Sequence, residues 1–164
     1  MKNPEALQAI IKECRTHAKV LQEAIEELGD ACFDEHSVTT ISTGQRRLLD
    51  QLAYRFSKLQ DSMGMKFFPV LLELTEEPMP ENATFAEKLQ RLERLGALES
   101  VEQWRQLREI RNQIAHEYED APALKAAVLN RFINEVGTLL AIWMRAEAFY
   151  TSRYNEGVAT NAKK

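Results

Sequence analysis

The stretch Ser100–Tyr118, SVEQWRQLREIRNQIAHEY, decides how this chain folds. Its aliphatic residues Leu107, Ile110 and Ile114 recur every three or four positions, which is the spacing of one helical face. Pro122 follows closely and disfavours helix in the residue before it. We therefore predict an amphipathic helix that ends near Tyr118.

The polar residues of this predicted helix crowd the opposite side. At about 100° per residue from Arg111, the residues Arg108, Asn112, Arg105 and His116 fall between roughly 60° and 140°. The aliphatic residues fall between about 260° and 320°. Three arginines, an amide and an imidazole are thus expected on one arc.

A stripe of three residues is predicted to border this arc. Trp104, Arg111 and Tyr118 are seven apart and are predicted to form a stripe beside it. Ala115 lies inside the arc, where its small side chain would let another surface approach. This pattern favours a two-fold contact between copies of the chain, and so a homodimer.

The rest of the sequence is also helical in pattern. Among 164 residues there are six glycines and five prolines, and no alternating β-branched run indicates a strand. A first helix is predicted between a cap at Asn3 and an end at Gly29, followed by a loop over 30–41. Its inward residues are predicted to be Leu7, Ile11, Cys14, Ala18, Leu21, Ile25 and Leu28.

Capping boxes mark the later helix starts. They occur at Ser42–Gln45, Thr84–Glu87 and Ser100–Gln103. Pro69 is expected to kink or break the second helix, and 75–83 is expected to be a loop. The second helix should bury Leu49, Leu52, Phe56, Leu59 and Met63.

The last helix is predicted to be capped by Asp120. Its inward residues should be Leu124, Val128, Phe132, Val136, Leu139, Trp143, Ala146 and Tyr150. The expected architecture is an all-α antiparallel bundle of four to five helices. It forms one domain over 1–154, with a flexible tail over 155–164.

Bulk composition limits the function classes. The net charge of −4 argues against a protein that coats nucleic acid, and no DNA partner is expected. No apolar run is long enough to cross a bilayer and no signal-peptide layout is present, so a cytoplasmic location without membrane contact is the default. Cys14, Cys32 and the three histidines lack metal-site spacing, so neither a metal nor a cofactor is expected.

Each residue of the arc also has a simpler interpretation. Arginines on a polar helix face are usually only solvated, and a lone histidine is usually structural. Tyr118 alone is more typical of a packed aromatic residue whose hydroxyl reaches a partner or water. The combination is what favours chemistry.

The combination resembles a known signature. Arg111, Asn112, His116 and Tyr118 occupy the positions of the R-N-x-x-x-H-x-Y pattern seen in HepT toxins of the HEPN superfamily. The resemblance covers about 84–118, and includes upstream Phe85, Leu89, Leu92, Gly96, Ala97 and Leu98.

The resemblance implies a function. HEPN proteins are helical bundles that commonly dimerise, and their signature helices meet across the dimer to form a composite Arg/His cleft. Many of them cut RNA without a metal. A HepT-like chain would be the toxin of a type II or type VII-like toxin–antitoxin pair. Its antitoxin would be a minimal nucleotidyltransferase that can add AMP to Tyr118.

The residue chemistry is compatible with a metal-independent endoribonuclease. Histidine is the side chain that ordinarily titrates near neutrality, so His116 suits general acid–base catalysis. Arg111 can hold phosphate oxygens and stabilise transition-state charge. Asn112 can orient His116 or the phosphate, and Arg105 and Arg108 add positive field and bind phosphate.

Two other function classes remain open from the sequence. In one, the chain is a non-catalytic adaptor that presents substrate to a nucleotidyltransferase, and the arc binds a nucleotide. In the other, it is a structural helical dimer, such as a regulator, with the motif as its interface. RNA cleavage that depends on His116 separates the ribonuclease from both.

Overall fold

The computed structural model describes residues 4–75 and 79–155, and its helices confirm an all-α bundle. The α-helices are α1 (Pro4–Leu28), α2 (Thr43–Ser62), α3 (Phe68–Glu73), α4 (Phe85–Leu95), α5 (Val101–Ile114) and α6 (Pro122–Tyr150). A 3-10 turn covers Ser37–Thr40, and π turns cover Met63–Phe67 and Thr151–Asn155.

Helix α2, the first π turn and α3 form one uninterrupted helical run, so the described residues form five long helical segments. The predicted break before Pro69 takes this form: the backbone widens into a π turn and then resumes as α3. Phe68 N–H bonds to the Met63 carbonyl, five residues earlier.

The helix starts and ends follow local sequence signals. Reciprocal capping boxes form at Ser42 and at Thr84, as predicted. At Ser100 the hydroxyl accepts a hydrogen bond from the Gln103 backbone. Gly96 ends α4 at φ 87°, a left-handed conformation that glycine adopts without steric cost.

Contacts between side chains show that the long helices run antiparallel. His17 and Glu13 of α1 contact Arg55 of α2 and Lys66 of the π turn, so residue numbers rise on one element as they fall on the other. Helix α6 packs against both α1 and α5. An ion pair between Arg15 and Glu147 links α6 to α1.

The predicted core is largely observed. All five inward residues of the second helical run are buried, while Ile25 and Leu28 of α1 are half-buried. Cys14 is fully buried, and burial raises the pKa of its thiol to about 12, as befits a small core residue. The aromatic centre of the core comprises Phe56, Phe67, Phe68, Trp104, Phe132, Trp143 and Tyr150.

Three details of the helix predictions differ from the structure. Helix α5 ends at Ile114 rather than near Tyr118. Ala121, not Asp120, occupies the cap position of α6 and makes no side-chain cap bond. Leu124 is 50% exposed, because the first turn of α6 extends beyond the core.

Two sequence predictions lie outside the described residues: the cap at Asn3 and the tail beyond Asn155. Within the described part of the chain, no helix has both the length and the apolar character needed to cross a membrane.

Candidate active site

The backbone of the signature changes direction after Ile114. Ala115 closes α5, and the His116 N–H bonds to the Gln113 carbonyl in a tight turn. Tyr118 has φ 52°, a left-handed conformation that cannot continue a right-handed helix. The helix ends before His116 and Tyr118, so the positions that the wheel predicts for them, on the arc and on the stripe beside it, are wrong.

The turn instead brings the two rings together. The ring centroids of His116 and Tyr118 lie 5.8 Å apart in an edge-to-face arrangement. A bulky residue at positive φ is unusual, and such positions cluster at functional sites. The local backbone is thus held in a costly conformation that presents both rings to one cavity.

This first cavity has a volume of about 220 Å³ and lies where α2, α6 and the signature turn meet. Its charged lining residues are Arg46, Asp50, Glu117 and Lys125, beside His116 and Tyr118. The remaining lining is apolar: Ile41, Leu49, Ala53, Ile114, Val128, Leu129 and Phe132. An imidazole, a phenol, two cations and two carboxylates thus line one cavity.

Arg111 does not line this first cavity. Its guanidinium pairs with Asp61 of α2, with Nη1 2.7 Å from Oδ1 and Nη2 donating to Oδ2 at 3.0 Å. Of the five N–H donors of a guanidinium, this bidentate pair uses two. Arg111 and Asp61 line a second cavity, described below, so within one chain Arg111 and His116 border different cavities.

The other predicted site residues are distributed along the surface of α5. Asn112, Arg105 and Arg108 are exposed, and the Arg108 guanidinium carbon lies 5.7 Å from the Phe85 ring centroid. Trp104 is only 1% exposed and packs on Phe68, so it belongs to the core rather than to a surface stripe.

Sequence reasoning missed Arg46, Lys125 and Asp61. Arg46 lies in the first turn of α2 and Lys125 in the first turn of α6, while Asp61 is near the end of α2. Only tertiary packing brings these three residues near the signature. The spacing of residues within one helix therefore could not predict them.

Among residues 4–75 and 79–155, no group of three His, Cys, Asp or Glu side chains is placed to hold a metal ion.

Comparison with protein-family models, with curated proteins and with solved structures finds no significant match to the chain.

Proposed function

We propose that the chain is a metal-independent endoribonuclease, and the toxin of a toxin–antitoxin pair whose antitoxin is a small nucleotidyltransferase. The observation that carries the proposal is the cavity that His116 and Tyr118 share, which Arg46 and Lys125 also line. The sequence pattern over Arg111–Tyr118, which resembles HEPN signatures, supplies the reaction class.

The reaction is an internal transesterification of RNA. The 2′-oxygen attacks the neighbouring phosphorus, the bond from phosphorus to the 5′-oxygen breaks, and a 2′,3′-cyclic phosphate remains. One group takes the 2′-hydroxyl proton and another gives a proton to the departing 5′-oxygen. An exposed imidazole such as His116 suits either role.

Charge on the phosphorane needs cations at short range. Arg46 and Lys125 share the cavity of His116 with the carboxylates of Asp50 and Glu117, and Lys125 also pairs with Glu119 at 3.4 Å. Arg111 borders the other cavity. A homodimer in which the signature turns face each other would bring Arg111 of one copy towards His116 of the other. This composite arrangement is part of the proposal.

One observation favours a second candidate, a non-catalytic adaptor that presents substrate to the nucleotidyltransferase. Asp61 offsets the charge of Arg111, which weakens this arginine as a transition-state cation. The first cavity would then bind part of a substrate without chemistry.

Sequencing RNA ends after brief expression of wild type and His116→Ala tests the proposal. New 5′-hydroxyl ends that appear only with wild type support a ribonuclease. Purified wild type that leaves RNA intact, yet binds a nucleotidyltransferase encoded beside its gene, would favour the adaptor.

A further inference from the structure

Two residues in the wall of the second cavity carry buried polar atoms that have no hydrogen-bond partner in the described part of the chain. The cavity has a volume of about 590 Å³ and lies between the first π turn, α4 and α5. Gln60 and Trp104, two of its lining residues, are only 2% and 1% exposed. Among the described residues, Gln60 Nε2, Gln60 Oε1 and Trp104 Nε1 have no hydrogen-bond partner.

Such atoms require an explanation, because folded proteins pair nearly all of their buried donors and acceptors. The Gln60 carboxamide offers one acceptor and an adjacent donor group, and the Trp104 indole offers one donor. A matching ligand therefore presents an adjacent donor and acceptor together with a further acceptor. The edges of nucleobases carry such groups, and adenine matches a glutamine side chain through N6 and N7.

The charged lining of the cavity favours an anion. Lys88, Arg108 and Arg111 line it with Asp61 as the single carboxylate, although the whole chain is acidic. Asp61 is paired with Arg111, which leaves Lys88 and Arg108 as the cations for a phosphate. Arg108 is exposed and lies against the Phe85 ring, while Lys88 is half-buried.

The position of the cavity relates it to the first one. Both cavities are lined by the helical run that begins with α2 and by α5 or the turn that follows it. Asp61 and Arg111 connect these two elements at the border of the second cavity. A strand of RNA bound along these two elements would pass both cavities.

We propose that the second cavity binds one nucleotide, with its base against Gln60 and Trp104 and its phosphate against Lys88 and Arg108. The base is adenine or another base with an adjacent donor and acceptor. The nucleotide is either one unit of an RNA strand or a free mononucleotide. The RNA alternative rests on the proposed function, and the mononucleotide alternative does not.

Calorimetry with full-length protein tests this site without measuring cleavage. The probes are AMP, the other three nucleoside monophosphates, and a short 2′-O-methyl oligoadenylate, which lacks the nucleophile for cleavage. We expect saturable binding of AMP or of the oligomer. Gln60→Met should weaken it about tenfold or more, because the amide partners are lost. Gln51→Met, an exposed glutamine of the same helix, should leave it unchanged.

The outcomes separate the alternatives. Binding of the oligomer but not of AMP assigns the site to RNA, and binding of AMP alone assigns it to a free nucleotide. In either case Lys88→Gln and Arg108→Gln should weaken binding and reduce its salt dependence. No binding of any probe to wild type at millimolar concentration would overturn the proposal, and the unpaired atoms would then hold water. Wild type that binds AMP but cleaves no RNA would refute only the ribonuclease.

Discussion

Arg111 and Asp61 face each other through two contacts of 2.7 and 3.0 Å that join α5 to α2. Their side chains are 32% and 35% exposed, so the pair contributes about 1 kcal/mol or less to stability. The ion pair has a greater effect on local charge, because the Asp61 carboxylate offsets the positive charge of Arg111. Removing that carboxylate should therefore change binding more than folding.

We expect Asp61→Asn to tighten the binding of a 2′-O-methyl RNA about two- to tenfold and to steepen its salt dependence, because one cation is released to meet phosphate. Fluorescence anisotropy at two salt concentrations measures both quantities. Asp30→Asn makes the same charge change away from the lining of either cavity and should have little effect. Unchanged or weaker RNA binding by Asp61→Asn contradicts this role.

His116→Ala should abolish RNA cleavage and toxicity, because the imidazole moves the proton. His116 is exposed, so the free energy of unfolding should change by no more than about 0.5 kcal/mol. His36→Ala removes another exposed histidine and should keep full activity. Arg111→Lys should recover little activity, since an ammonium group lacks the guanidinium fork. Full cleavage by folded His116→Ala would falsify the mechanism.

Tyr118→Phe should fold and cleave RNA as wild type does, yet escape silencing by the nucleotidyltransferase. An AMP group on the hydroxyl would add about one negative charge and a base beside Arg46 and Lys125, and so fill the first cavity. Peptide mass spectrometry after co-expression locates the modification. Tyr54→Phe, at a 55% exposed tyrosine, is the control. A silenced toxin with unmodified Tyr118 points to inhibition by complex formation instead.

The chain should be a homodimer with Ala115 at its interface. Ala115 is exposed at the end of α5, between Arg111 and His116 in sequence. Ala115→Arg should shift the protein to a monomer, because a bulky cation would meet its own copy across the two-fold axis. Ala141→Arg, at an exposed alanine of α6, should remain dimeric. Light scattering that shows wild type as a monomer at micromolar concentration argues strongly against this assembly.

Protonation of His17 should lower the free energy of unfolding in acid. Burial, and then the neighbouring Arg55, lower the pKa of His17, and Arg55 Nη1 lies 3.0 Å from its Nδ1. Because the folded state favours neutral His17, its contribution is complete above the unfolded pKa of about 6.5 and is lost as pH falls below it. Urea unfolding at pH 7.5 and 5.5 should show this loss.

His17→Gln should flatten the pH dependence of unfolding, since glutamine can accept from Arg55 and does not titrate. His36→Gln, at an exposed histidine, should leave that dependence as in wild type. An equal loss of stability in acid for wild type and His17→Gln would assign the effect to other groups.

The fold could be predicted from sequence where local signals determine it. The capping boxes at Ser42 and Thr84 and the glycine end at Gly96 depend on neighbours within a few residues, so the sequence contains their full cause. The end of α5 is different. No helix breaker lies between Ile114 and Tyr118. The left-handed backbone conformation of Tyr118 is not one that a tyrosine side chain predicts.

The candidate site was less predictable for the same reason. A helical wheel assumes continuous helix, and it misplaced His116 because the helix had already ended. Asp61 is separated from Arg111 by 50 positions, and Lys125 reaches the first cavity from α6. Such partners are set by how helices pack, which periodicity within one helix does not encode.

Pro69 has a consequence for which kinds of change the second cavity can tolerate. Proline has no N–H for the carbonyl four residues earlier, and the π turn before it seats Gly64 so closely that an added Cβ would lie 3.3 Å from Trp104 Cζ2. The same turn leaves Met65 76% exposed. The shape of this cavity wall thus depends on the number of residues in the π turn. Divergent copies of this chain should keep glycine at position 64 and should rarely gain or lose a position in this turn.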